Sequence, residues 1–148
     1  MIEALDLVLK KAGAQIGSLM LYDSHDQALR IVAAQGFDIE TMKQIKNLKL
    51  TSGKGVAGHV YETGKPYYLK HPPKDPLFES ENINLGPSFQ FLSIPLKTTQ
   101  SQTVGVLNIH FPAKQLLSAS DLESLANLAN RLTVDYLPRF KSPEPLPA

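Results

Sequence analysis

The sequence predicts a single domain of the α+β class. Three observations support this: an amphipathic helix at each end of the chain, apolar runs joined by short polar turns between them, and a length of 148 residues, which suits one domain with a sizeable core. Strands joined by short turns pair as antiparallel hairpins, so we expect an antiparallel sheet. Hydrophobic residues make up 43% of the chain and charged residues 20%, as is typical of soluble globular proteins.

Helical periodicity marks both ends of the predicted domain. The first helix is predicted over residues 1–12, and Gly13 ends it. The last helix is predicted to begin at Ser120, because Ser120 and Glu123 have the spacing of a capping box, and to end before Pro138. Its apolar stripe consists of Leu122, Leu125, Ala129, Leu132 and Tyr136.

The strands are predicted from apolar runs between turn residues. Residues 16–22 and 28–34 flank a polar turn and should form the first hairpin. Residues 89–96 and 103–110 should form the second, and because both of their faces are apolar we expect central strands covered on both sides. One further, short strand is predicted over residues 66–69.

The middle of the chain holds the most distinctive local pattern, a glycine-rich turn that opens a short helix. Gly53 and Gly55 permit backbone angles that other residues avoid, and Gly64 ends the helix. The hydroxyls of Thr51 and Ser52 are placed to cap its start. Such a helix start suits an anion or a polar ligand, although ordinary turn chemistry explains the same residues.

A basic segment surrounds this turn. A short helix is predicted after Gly36, where Ile39, Met42 and Ile45 share one face. Residues 41–74 then contain seven lysines and one acid, a formal charge of +6, which would steer an anion but equally describes a solvated lysine face. Because the segment lacks arginine and the whole chain carries a net charge of only +1, we expect no nucleic-acid partner.

Proline distribution predicts two irregular stretches. Residues 71–87 contain four prolines and should form a long irregular segment, and a loop of this length in a compact domain usually covers a functional site. Residues 138–148 are again rich in proline and are predicted to be a tail or linker. The predicted domain therefore occupies residues 1–137.

Composition excludes several functional classes. The chain has no cysteine, which removes disulfides, thiolate nucleophiles, zinc–thiolate sites and thioether-linked chromophores. No apolar run approaches the roughly 20 residues that span a bilayer, and no signal peptide is recognisable, so we expect a cytoplasmic protein without a membrane partner.

Catalytic and metal-binding motifs are also missing from the sequence. The four histidines stand apart without metal-pair spacing, and we expect such isolated histidines to be exposed or capped and no metal site to form. No nucleophile elbow surrounds Ser18, Ser88 or Ser93. We therefore predict no catalytic residues and no enzyme.

Several strings, taken together and in order, resemble the GAF domain family over residues 4–137. They are Gly-Val-Ala-Gly-His-Val ending in Thr-Gly-Lys-Pro, Asp-Pro-Leu-Phe in the long segment, Phe-Gln-Phe-Leu-Ser-Ile-Pro-Leu and Val-Gly-Val-Leu-Asn-Ile in the last two strands, and Asp-Leu-Glu-Ser-Leu-Ala in the final helix. The resemblance implies a GAF-like fold, similar to profilin and PAS folds. In it, a six-stranded antiparallel sheet carries the N- and C-terminal helices on one face and short helices plus a long loop over a pocket on the other.

The resemblance also implies a sensory function. GAF domains occur in histidine kinases, cyclases, phosphodiesterases and transcriptional activators, where the pocket binds a small molecule and the terminal helices pair across a dimer. We expect a non-catalytic, small-molecule-sensing module of a signal-transduction or transcription-regulatory protein, homodimeric through its terminal helices and joined to an output domain. The alternative is a ligand-free dimerisation or scaffold domain whose own aromatic side chains fill the pocket.

Differences between this chain and the ligand-binding motifs of GAF relatives narrow the classes of ligand that we expect. Without cysteine, the chain differs from relatives that attach a bilin covalently and from those that reduce free methionine sulfoxide, although a noncovalently held pigment stays open. Relatives that bind cyclic nucleotides carry an Asn-Lys pair where this chain has Asn108 and Ile109, so a cyclic nucleotide stays open as a ligand but is not the one we expect. The residues placed by the resemblance on the pocket wall are Phe37, Asp38, Val56, Ala57, His71, Phe78, Phe91 and Ser93.

Overall fold

One antiparallel sheet organises the described part of the chain. A computed structural model of the protein describes residues 2–70 and 89–136. Its elements are α1 (Ile2–Ala12), β1 (Ile16–Asp23), β2 (Ala28–Gln35), α2 (Ile39–Ile45), β3 (Lys49–Thr51), α3 (Gly55–Thr63), β4 (Tyr67–Leu69), β5 (Phe89–Lys97), β6 (Thr103–Pro112) and α4 (Ala119–Tyr136). Over these residues the six strands form one sheet in the order β3-β2-β1-β6-β5-β4, with every neighbouring pair antiparallel. The predicted α+β fold class is confirmed.

The terminal helices cover one face of the sheet. α1 and α4 pack their apolar stripes on β1, β5 and β6, which forms the larger of two cores. Leu5 and Leu9 of α1 meet Leu107 and Ile109 of β6 there, and Ala129 of α4 is fully buried in the same core. Each fully buried side chain of this size stabilises the fold by about 1.5–3 kcal/mol, so this face holds both helices firmly.

The opposite face, which we call the site face, carries a smaller core beneath α3. Met20, Phe91 and Val106 of the sheet pack there against Val56 and Val60 of α3. Because side chains alternate along a strand, each central strand contributes to both cores. The expectation that the second hairpin is covered on both sides is confirmed, since seven consecutive residues of β5 are buried.

The local pattern does not reveal β3. Lys49–Thr51 is three residues long and alternates exposed, buried and exposed, so it reads as part of the basic link. It forms a strand because it pairs with residues 28–30 of β2 and buries Leu50. Tertiary pairing, which acts over more than twenty residues of sequence, decides this element.

The predicted capping pair of the last helix is wrong by two residues, and α4 begins at Ala119. The reciprocal cap of α4 is formed by Ser118 and Asp121: the Asp121 amide donates to Ser118 Oγ at 3.0 Å, and the Ser118 amide donates to Asp121 Oδ2 at 2.8 Å. Ser120 and Glu123 are exposed instead. Both pairs place a hydroxyl three residues before a carboxylate, so spacing alone does not distinguish them.

Two predicted segments lie outside the described residues. They are the irregular segment of residues 71–87 and the tail of residues 138–148. Within the described ranges, no helix is long and apolar enough to cross a membrane.

Candidate functional site

A buried histidine surrounded by aromatic rings is the most unusual feature of the site face. His110 of β6 has its ring centroid 4.8 Å from that of Phe91, 5.4 Å from that of Phe89 and 5.5 Å from that of Phe37. The β5–β6 register places Phe91 directly opposite His110, and Phe37 reaches the cluster from the segment after β2. We call these four residues the aromatic cluster.

The environment of His110 keeps its imidazole neutral. Burial lowers the pKa of His110 to about 4 from its ordinary 6.5, because an apolar surrounding disfavours the charged ring. Its Nδ1 is buried and makes no hydrogen bond with the described part of the chain. A buried imidazole nitrogen without a partner is unusual, since buried polar groups are generally paired.

A small cavity adjoins this imidazole. It has a volume of about 270 Å³ and is lined by Ile16, Phe89, His110 and Phe111 among others, with no charged side chain among the described residues that line it. A neutral imidazole offers one hydrogen-bond donor and one acceptor. Gln15 also lines the cavity, which therefore suits a small molecule that carries polar groups as well as apolar surface.

A buried row of polar side chains crosses the sheet next to the aromatic cluster. Ser93 Oγ donates to Asn108 Oδ1 at 2.8 Å, and Asn108 Nδ2 donates to Ser18 Oγ at 3.2 Å. The register aligns these three residues on adjacent strands, and all three are buried. Ser93 bonds to an amide rather than to a basic nitrogen, so the row has hydrogen-bonding but no nucleophilic character.

The glycine-rich turn is engaged in its own packing. The Gly53 amide donates to the Gly58 carbonyl and the Lys54 amide to the Thr51 carbonyl, each at 3.0 Å. A Cβ on Gly58 would lie 2.7 Å from the Thr51 carbonyl oxygen, so only glycine lets α3 approach β3 this closely. The predicted hydroxyl caps are wrong: the N-cap is Lys54, whose side chain makes no capping bond.

The predicted wall residues fall into three groups. Phe37 and Phe91 belong to the aromatic cluster, and Ser93 belongs to the polar row. Val56 and Ala57 are buried in the smaller core under α3. Their ligand contacts stay predictions.

The other three predicted residues are placed differently. Asp38 caps α2, because its Oδ1 accepts the Thr41 amide at 2.7 Å, and this bond holds the pKa of the Asp38 carboxyl below its usual value. That bond explains Asp38 without a ligand. His71 and Phe78 lie outside the described residues.

The sequence reasoning missed the centre of the site. The expectation that isolated histidines are exposed or capped is wrong for His110, which is buried and whose Nδ1 has no hydrogen-bond partner in the part of the chain that the structure describes. One signal was available: Asn108 and His110 alternate with Leu107 and Ile109, so two polar residues share one face of an otherwise apolar strand. Polar residues on a buried strand face are the informative exception to the burial rule.

A second cavity lies between β2 and α2 and shares only Phe37 with the aromatic cluster. It has a volume of about 380 Å³, is lined by Val32, Phe37 and Met42, and carries Lys43 and Lys46 at the same surface. We call it the β2–α2 groove. Phe37 lines this groove and also contacts His110, which lines the smaller cavity.

Comparison with known proteins agrees with this architecture. The family model described as GAF domain matches residues 2–134. The chain belongs to the GAF domain family.

The sequence relatives are regulatory proteins. The Nif-specific regulatory proteins of Klebsiella pneumoniae and Klebsiella oxytoca are 29% and 28% identical to this chain over 148 residues, covering 97% of it. The chain spans only 28% of the length of each relative.

Solved structures share the fold at low identity. The GAF domain/HD domain protein from Geobacter sulfurreducens aligns with a TM-score of 0.76 at 12% identity, covering 88% of this chain and 85% of that one. The type II free methionine-R-sulfoxide reductase from Thermoplasma acidophilum aligns with a TM-score of 0.70 at 15% identity, covering 90% and 86%. At these identities the likeness concerns the fold alone.

Proposed function

We propose that this chain is a non-catalytic, small-molecule-sensing module of a larger regulatory protein, and that the ligand binds on the site face at the aromatic cluster. The observation that supports this best is His110, whose buried Nδ1 has no hydrogen-bond partner among the described residues and whose ring lines a small cavity. An unpaired buried nitrogen costs free energy in the empty domain, and a ligand that bonds to it recovers that cost. The ligand is then bound by one specific polar contact and by aromatic surface.

The regulatory assignment rests on the relatives. Nif-specific regulatory proteins are more than three times as long as the matched region, so this chain would be one domain of such a protein and act on an output domain elsewhere in it. We propose that the parent protein works in the cytoplasm. Ligand binding would bias the packing of α1 and α4, which lie on the other face of the same strands.

A binding role fits the chemistry of the site better than catalysis. The fold neighbour from Thermoplasma acidophilum is named as a reductase, but this chain has no cysteine to serve as a redox thiol. Ser93 is paired with Asn108, and burial keeps His110 neutral by lowering its pKa to about 4. A covalently attached bilin is excluded in the same way, because the thioether link needs cysteine.

A ligand-free dimerisation domain is the second candidate, and one observation favours it. Ile2 and Leu7 of α1 and Val134 of α4 remain 48%, 41% and 47% exposed, which suits pairing of the terminal helices with a second copy. We include a homodimer through these helices in the leading proposal as well. The two candidates differ only in whether the cavity is ever occupied.

Thermal unfolding in the presence of small-metabolite pools tests the leading proposal. A ligand that binds only the folded chain stabilises it by about 2.7 kcal/mol at one hundred times its dissociation constant, which raises the melting temperature by several degrees. His110→Phe should abolish the shift, whereas Val32→Asp in the β2–α2 groove should retain it. A pool that stabilises both variants equally would place the ligand elsewhere, and no shift from any pool would favour the dimerisation domain.

A further inference from the structure

The start of β5 links the two faces of the sheet. Phe89 and Phe91 both contact His110 on the site face. Gln90 lies between them in the strand, so its side chain points to the opposite face, together with Leu92 of the larger core. A shift of this strand that moves the two rings must also move Gln90.

The Gln90 side chain is buried and fully engaged. It is 2% exposed, and its Oε1 accepts a hydrogen bond from the Tyr68 hydroxyl of β4. Burial raises the pKa of Tyr68, so this hydroxyl keeps its proton. The hydrogen bond from Tyr68 to Gln90 therefore joins the end of β4 to the start of β5.

The amide nitrogen of Gln90 holds the link between β6 and α4. Nε2 donates to the carbonyl oxygens of Gln115 at 2.7 Å, Pro112 at 3.0 Å and Ala113 at 3.4 Å. Pro112 is the last residue of β6, and Ala113 and Gln115 belong to the short link that precedes the Ser118 cap of α4. The position of α4's first turn is thereby tied to one side chain of β5.

The same link reaches the other terminal helix. The Gln115 side-chain amide donates to the carbonyl oxygen of Ala12, the last residue of α1, at 3.3 Å. A continuous chain of hydrogen bonds therefore runs from Tyr68 through Gln90 and Gln115 to Ala12. It connects the strand that carries the aromatic cluster with both terminal helices.

We propose that Gln90 is the positioning residue that couples the aromatic cluster to the ends of α1 and α4. The inference rests on the proposed function for its biological meaning, but the coupling itself is a property of the chain without a ligand. The two N–H donors of the buried Gln90 amide are both used by neighbouring carbonyls, so the side chain has few alternative arrangements in which these donors stay paired. A change at the aromatic cluster is then passed on as a discrete shift of the β6–α4 link.

A matched control exists elsewhere in the sheet. The Gln35 side chain of β2 donates to Asp6 Oδ1 of α1 at 3.0 Å, so it also ties a strand to a terminal helix through an amide. Within the described residues, the Gln35 side chain makes this bond and none to the aromatic cluster or to the β6–α4 link. Loss of Gln35 tests what any strand-to-helix hydrogen bond contributes.

The experiment measures amide hydrogen exchange by NMR, with His110→Phe as the change at the aromatic cluster. Two amides report the helix ends: Leu122, bonded to the Ser118 carbonyl at 3.1 Å, and Ala14, bonded to the Leu9 carbonyl at 2.9 Å. His110→Phe is introduced into wild type, Gln35→Met and Gln90→Met. In wild type and in Gln35→Met, we expect His110→Phe to change the exchange rate of both amides by about threefold or more. In Gln90→Met, we expect the same substitution to change these rates by less than about 1.5-fold.

A milder variant keeps the test valid if Gln90→Met does not fold. Gln115→Met retains the Gln115 carbonyl that accepts from Gln90 but removes the amide that reaches Ala12. In that background His110→Phe should still alter Leu122 exchange and should no longer alter Ala14 exchange. An equal response in every background, or no response in wild type, would overturn the coupling role of Gln90. Either result leaves ligand binding to be judged separately by the thermal assay.

Discussion

Phe91 of β5 and His110 of β6 are cross-strand partners whose rings meet nearly edge to face, with centroids 4.8 Å apart and planes at 75°. Residues directly opposite on antiparallel strands are in contact, so the sheet itself fixes the imidazole in place. The aromatic surround keeps the ring uncharged by lowering its pKa to about 4. The site face thus presents a neutral polar group at a rigid position, which is what a binding site needs.

We predict that His110 makes folding stability depend on pH between about 6.5 and 4. The folded pKa is depressed, so the unfolded chain takes up the proton first as the pH falls. The contribution of His110 to the free energy of unfolding is fully present above pH 6.5. It is lost as the pH falls to about 4, and the total loss is about 3 kcal/mol. Urea unfolding at several pH values should show that His110→Phe removes this part of the slope, while the exposed His25→Asn leaves it. An unchanged slope in His110→Phe would mean that the imidazole is not buried.

The buried polar row of Ser93, Asn108 and Ser18 should stabilise the fold of the ligand-free chain. Ser93→Ala removes the donor to Asn108 Oδ1, and Ser18→Ala removes the acceptor for Asn108 Nδ2, so each should lower the free energy of unfolding by about 1–3 kcal/mol. Ser124→Ala on the exposed surface of α4 serves as the control. If Ser93→Ala changed ligand affinity but not stability, Ser93 would be a ligand contact only.

The start of α4 can be located by a pair of serine substitutions. Ser118→Ala removes the hydroxyl that caps the Asp121 amide and should cost about 1 kcal/mol. Ser120→Ala, two residues further on and exposed, should change stability by less than about 0.5 kcal/mol. Thermal melts of the two variants decide between the caps, and a larger loss for Ser120→Ala would restore the sequence-based position.

Gly58→Ala should destabilise the domain although it raises helix propensity. Alanine in place of glycine in a helix interior normally gains about 1 kcal/mol. Here the new Cβ would lie 2.7 Å from the Thr51 carbonyl oxygen, which is backbone and cannot rotate away, so we expect a net loss in urea unfolding. Asn130→Ala, exposed on α4, should give only the small gain from propensity. A stabilised Gly58→Ala would show that α3 moves freely relative to β3.

Local sequence patterns predict most elements because burial is periodic in them. The stripes of α1 and α4 and the runs of β1, β2, β5 and β6 are long enough for periodicity to be informative. β3 is missed because its single buried side chain, Leu50, lies between the exposed Lys49 and Thr51, whereas the equally short β4 is an apolar run. The cap of α4 is not predicted correctly because two overlapping pairs, Ser118 with Asp121 and Ser120 with Glu123, both have the spacing of a capping box.

The site was predicted only in part, for a physical reason. Phe37, Phe91 and Ser93 were placed on the pocket wall through the resemblance to GAF domains. The burial of His110 escapes prediction because it depends on rings from two other segments, Phe37 after β2 and Phe89 and Phe91 of β5, which a local pattern does not contain. The Asn108 pairing likewise depends on strand register, which tertiary packing sets.

Native mass spectrometry of the chain after incubation with a small-molecule extract tests the central claim most directly. The account predicts a noncovalent mass addition on the wild-type chain that is absent from His110→Phe and present on Val32→Asp, with the dimer as the main species. The denatured mass should equal that of the bare chain, since no cysteine is available for attachment. A wild-type chain that stays bare, or an addition that His110→Phe retains at full occupancy, would contradict a ligand site at His110.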